Sequence, residues 1–132
     1  MAIILLDTSV IIDHLNGRFG RTEFLRDLLD RRHDLVCCPI VITEIYAGLR
    51  VGEEAKTAAF INRLECLPIT PEIAQEAGLL RRDWRTKGIT LSYTDVTIAA
   101  VAIHNRIPLL TGNRKHFPMP ELQLFPLPEH AG

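Results

Sequence analysis

Ala2-Ile3-Ile4-Leu5-Leu6-Asp7-Thr8-Ser9-Val10-Ile11-Ile12-Asp13-His14-Leu15 is the stretch that decides the fold. Ala2 to Leu6 is an apolar run, long enough for a strand buried on both faces and too short to span a bilayer. Asp7, Thr8 and Ser9 supply helix-start chemistry, and Val10, Ile11, Ile12 and Leu15 continue at helical spacing. Asp7 is therefore expected where a buried strand hands over to a helix. In open parallel α/β sheets that edge, at the carboxyl ends of the strands, is where ligands bind. A lone acid in this position caps a helix more often than it does chemistry. A functional reading needs further acids at the same edge.

Outward from this stretch, strands and helices alternate. Helices are expected over 19–32, over 40–49 behind Pro39, and over 53–65. Another is expected from the Thr70-Pro71 start to about Lys87, stopped by Gly88, and a last one from Ser92 to Asn105. Strands are expected over 34–38, 67–69, 107–110 and 122–125, with Pro68 marking an edge. This alternation predicts an α/β fold with a parallel sheet. It reads as one domain over 1–125 with a flexible Pro-rich tail over 126–132, and the length of 132 residues suits a single core.

The formal net charge is -1, so an anionic partner must be held by a local patch or a metal rather than by global charge. Three cysteines, two of them adjacent at Cys37 and Cys38, make neither a disulfide framework nor a CxxC zinc site. Cys37 and Cys38 read as core thiols of a cytoplasmic protein. No secretory leader or membrane span is legible in the chain.

Two further acids share the setting of Asp7. Glu44 is the single ionised group in the apolar run from Ile40 to Leu49, and it either faces a solvent gap, pairs with Arg50 or meets a cation. Asp95 stands three residues after Ser92, in the first turn of a core helix, where it also fits a capping box. Each acid has a bland explanation alone. Three together at one sheet edge repel one another unless a hard divalent cation, Mg2+ or Mn2+, takes their oxygens. Asp13 points off the Asp7 face and is assigned a supporting role. The basic end of the helix from Thr70 to Lys87, Arg81, Arg82, Arg85 and Lys87 around Trp84, suits a helix C-terminus, and Trp84 could also stack a nucleotide.

The motifs Leu6-Asp7-Thr8-Ser9 with Ile12-Asp13 and Leu15, Thr43-Glu44 with Gly48, Asp95 with Ile98-Ala99-Ala100 and Ala102, and Leu110-Thr111-Gly112-Asn113 with His116-Phe117 resemble those of the PIN domain. In particular they resemble VapC-type toxins of bacterial toxin–antitoxin pairs. The resemblance runs from Ile4 to Phe117 and implies a three-layer α/β/α domain with a central, mostly parallel sheet. It further implies a Mg2+- or Mn2+-dependent endoribonuclease that cuts single-stranded RNA, has a cognate antitoxin, and forms a homodimer through the helices between Ile40 and Glu65. By carry-over, Asp7, Glu44 and Asp95 are the metal-binding acids. Thr111 and Asn113 join them in the catalytic set, and Thr8, Ser9 and His116 line the site. Arg114 and Lys115 beside the site are the first candidates to hold RNA phosphates. Relatives often carry a fourth acid in the stretch matching Thr111 to Phe117, whereas this chain has Asn113 there and no acid until Glu121.

Other readings fit less well. A receiver domain needs a phosphoacceptor Asp after a middle strand, and the run 67–69 ends in Thr70. A haloacid-dehalogenase-type phosphatase needs an Asp two residues after Asp7, where Ser9 stands. A non-catalytic PIN-like binding protein has no reason to keep three acids together.

Overall fold

The computed structural model describes residues 1–128, so the last four residues of the expected tail lie outside the described residues. In chain order the elements are β1 (Ile3–Leu6), α1 (Thr8–Leu15), α2 (Arg21–Asp30), β2 (Asp34–Cys37), α3 (Pro39–Ala47), α4 (Glu54–Ile61), β3 (Glu65–Cys66), α5 (Pro71–Thr86), α6 (Tyr93–Asn105) and β4 (Leu109–Leu110). A short 3-10 turn, Arg114–His116, follows β4.

The four strands form one sheet in the order β3-β2-β1-β4. All of its ladders are parallel. β1 is central, and Ile4, Leu5 and Leu6 are completely buried. The continuous apolar run thus behaves as parallel strands do when both faces are covered. The order steps one way from β1 to β2 to β3 and then jumps back across β1 to β4. With right-handed crossovers, the α5–α6 connection passes over the face opposite the α1–α2 connection. Helices therefore cover both faces, which is the expected α/β/α layering.

Local chemistry starts the helices where the sequence indicates. Asp7 caps α1, accepting from the Thr8 N–H. Pro39 occupies the first turn of α3. The Thr70 hydroxyl caps α5 through the Ile73 N–H, and the Ser92 hydroxyl caps α6 through the Asp95 N–H. α6 is the most deeply buried helix, with Val96 and Ile98 to Ala102 all in the core.

Two strands differ from expectation. β3 is Glu65–Cys66, not the apolar run 67–69. The ladder goes one bond further, Leu67 N–H to Cys37 C=O at 2.8 Å. The expected final strand over 122–125 reduces to a single parallel bridge, Leu109 to Leu124. Leu127, in the expected tail, packs against the core.

Candidate active site

Because β1 and β4 are neighbours whose connections leave in opposite directions, a crevice opens at their carboxyl ends. Leu6 is in register with Leu110, so the next residues along, Asp7 and Thr111, arrive at that crevice side by side. The Asp7 N–H donates to the Leu110 carbonyl at 2.9 Å, extending the ladder to the edge of the site.

Asp7 is 4% exposed. One carboxylate oxygen, Oδ1, accepts from the Thr8 N–H at 2.8 Å. The other, Oδ2, accepts from the Thr111 hydroxyl at 2.6 Å and from the Ser9 hydroxyl at 3.1 Å. Each hydroxyl is itself held. Ser9 Oγ accepts from the Gly112 N–H at 3.0 Å, and Thr111 Oγ1 accepts from the Asn113 N–H at 2.9 Å. With the acceptor side of each oxygen occupied by a backbone N–H, its proton is directed at Asp7. The sequence indicated Thr111 and Ser9. The supporting backbone groups of Gly112 and Asn113 carry no side-chain signal and could not be read from it.

Glu44, half-buried on α3, accepts from the Thr8 hydroxyl at 2.5 Å. Its alternative partner, Arg50, instead meets Glu53. Asp95 stands at the start of α6, and its Oδ2 lies 3.6 Å from His116 Nδ1. The carboxyl of Asp95 thus turns toward the 112–116 loop while its N–H takes the Ser92 cap. Asn113, Arg114, Lys115 and His116, with Gly112, line an open depression of about 310 Å³. Arg114 and Lys115 are solvent-exposed. Asp13 lies apart, 3.9 Å from the buried Arg21 guanidinium. A larger depression, about 560 Å³ between α1, α2, α4 and the β2–β3 side of the sheet, is lined by none of the predicted site residues.

Burial pushes the Asp7 carboxyl above its ordinary pKa. The Thr111, Ser9 and Thr8 donors pull it back toward ionisation, and the negative charge of Asp95 raises it again. Of these influences the charge of Asp95 is the smallest. Among the described residues no group of three or more His, Cys, Asp or Glu side chains is placed to hold a metal ion. The donor set still fits a hard cation. Mg2+ and Mn2+ take oxygen ligands, retain several waters and use one or two direct carboxylates rather than a full protein cage.

The PIN domain family model matches residues 4–120. Ribonuclease VapC19 of Mycobacterium tuberculosis is 35% identical over 120 residues, covering 90% of this chain and 96% of the relative. Ribonuclease VapC10 of the same organism is 32% identical over 118 residues, 89% of this chain and 87% of the relative. Among solved structures, VapBC2 of Rickettsia felis bound to a DNA fragment from its promoter superposes with a TM-score of 0.82 at 27% identity, covering 93% of this chain and 97% of that one. With a family model spanning most of its length and relatives above 30% identity over nearly all of it, the chain belongs to the PIN domain family and groups with the VapC ribonucleases.

Proposed function

We propose that this protein is a divalent-metal-dependent endoribonuclease of single-stranded RNA, the toxin of a toxin–antitoxin pair. Its kinship with proteins named Ribonuclease VapC supports the activity. The observation that carries the site assignment is the buried Asp7 carboxylate, aimed by three donors into the β1–β4 crevice and opposed by the charge of Asp95.

In this reading Asp7, Glu44 and Asp95 hold Mg2+ or Mn2+, and Asn113 offers a neutral carbonyl oxygen where a fourth acid would bind more strongly. The cation, when bound, lowers the pKa of an attacking water and neutralises charge on the phosphate. The chain's own groups do the positioning. Thr111 and Ser9 favour the ionised form of Asp7 against its burial and fix its rotamer, and Thr8 fixes Glu44. His116, whose Nδ1 lies 3.6 Å from Asp95 Oδ2, lines the site beside that acid. Arg114 and Lys115 hold the phosphate backbone next to the cut.

The test is cleavage of a mixed-sequence RNA with and without Mn2+. Wild type should cut when Mn2+ is present, and Asp7→Asn, Glu44→Gln and Asp95→Asn should each lose most of that activity while keeping a wild-type circular dichroism spectrum. Three variants that cut like wild type would end the metal-site assignment. A wild type that binds RNA without cutting it would favour the non-catalytic alternative.

The antitoxin partner rests on kinship with VapBC complexes. A cytoplasmic location is supported by Cys37, Cys38 and Cys66 all being free thiols. Among the described residues no helix is long and apolar enough to cross a membrane. A homodimer through the α3–α4 region is supported by Tyr46, 42% exposed, and the fully exposed Val51, and a solution mass of a single chain would refute it.

A further inference from the structure

Tyr93 is the first residue of α6 and is 71% exposed, the most exposed aromatic side chain described. Its π-face is a surface on which another flat ring can stack. The Tyr93 ring is also held in place. The Arg81 guanidinium lies over one face of the ring, 4.1 Å from its centroid, and its Nη1 reaches the Tyr93 hydroxyl at 3.4 Å. Arg81 is fixed in turn, because its Nε donates to the carbonyl of the buried Leu91 at 2.9 Å. A guanidinium committed to a backbone carbonyl and stationed over a ring leaves that ring with one covered face and one open face. Trp84, the aromatic that the sequence singled out, is half-buried and already covered by the Lys87 ammonium 4.4 Å from its ring.

The placement matters as much as the rigidity. Tyr93 is two residues from Asp95 in the same helical turn. Side chains two apart on a helix diverge by about 200°, so the ring stands across the tip of α6 from the acids rather than among them. That sets the ring on the acid-bearing turn but on a different face of it from Asp95. Base–aromatic stacking is the general way proteins grip single strands without reading sequence, and an Arg on the far face adds a cation–π contribution.

We propose that the open face of Tyr93, backed by Arg81, is a stacking platform for an unpaired nucleobase of the RNA strand entering the Asp7–Asp95 site. The proposal rests on the ribonuclease reading and adds to it a binding subsite for the base, separate from the groups that meet the phosphate. Arg81 is a positioning residue, since its own contacts are to Leu91 and Tyr93.

The test compares two fluorescent single-stranded RNAs of about 12 nucleotides, one with mixed bases and one abasic throughout, binding to the full chain in chelator. Anisotropy titration should show wild type preferring the base-bearing strand by about 10-fold. Tyr93→Ala should abolish that preference while leaving affinity for the abasic strand unchanged, and Tyr93→Trp should preserve or increase it. Tyr93→Leu, which keeps bulk without a flat π-face, serves as the control if the alanine variant folds poorly. Equal losses on both strands, or a preference that survives in Tyr93→Ala and Tyr93→Leu, would overturn the platform. Cleavage of the mixed RNA in Mn2+ by the same wild-type preparation separates the two ideas. Cutting without a Tyr93-dependent base preference removes only the platform, whereas neither cutting nor binding removes the ribonuclease reading with it.

Discussion

Asp7 does two things at once, and they pull against each other. Its carboxylate caps α1 and is surrounded by donors, yet burial and Asp95 keep its pKa above the ordinary 3.8. A folded-state pKa above the unfolded one means that the native chain holds this proton more tightly than the unfolded chain does. Without metal, the group's favourable contribution is therefore complete below pH 3.8 and is lost as pH rises through the raised value. Asp7→Asn, which cannot ionise, should be more stable than wild type at neutral pH in chelator and less sensitive to pH between the two values. Mn2+ should then raise the melting temperature of wild type more than that of the variant. Urea denaturation across pH checks the first statement, and a variant uniformly less stable than wild type would show that the donors outweigh burial. At this scale the sequence disclosed the acids and hydroxyls, because those residue types carry the chemistry. It did not disclose that Glu44 would choose Thr8 over Arg50, because that choice depends on α3 lying beside the start of α1.

Among the elements, caps were the most legible feature, since an N-cap is a local contact. Thr70 and Ser92 make chemically matched caps on α5 and α6, but only the α6 cap also orients a site residue. Replacing either hydroxyl with alanine should cost about 1 kcal/mol of stability. Thr70→Ala should leave RNA cleavage at wild-type level, whereas Ser92→Ala should also lower it by loosening the first turn that carries Asp95. Equal activities for the two variants would mean that buried α6 holds Asp95 without its cap. Strand boundaries were less legible. Both residues of β3 are exposed, so the strand has no apolar signature. The apolar residues beside it, Leu67 and Ile69, pack against the core, and Leu67 adds one further backbone bond to the ladder. Edge strands are defined by a neighbour's hydrogen bonds, which sequence alone does not display.

For the molecule as a whole, alternating buried strands and helices made the α/β class readable, but strand order was not. The site depends on that order, because β4 must return beside β1 to bring Thr111 to Asp7. The net charge of -1 also has a whole-molecule consequence. RNA affinity must come from few cations, so its salt dependence should be shallow, and the double variant Arg114→Ala, Lys115→Ala should flatten it further by up to about two phosphate contacts. Binding titrations over a range of KCl concentrations measure the slope, and an unchanged slope would place the phosphate contacts elsewhere.

The Asp7–Thr111 hydrogen bond joins residues 104 apart in the chain. On a translating ribosome, at about 5–20 residues per second, Asp7 is made on the order of 5–20 s before Thr111. During that interval β1 has β2 available but not β4, and the acid has no hydroxyl from the far strand to hold it ionised. The candidate site is thus assembled late in synthesis, and a prematurely terminated fragment ending before Leu109 carries Asp7, Glu44 and Asp95 without the strand that brings Thr111 to Asp7.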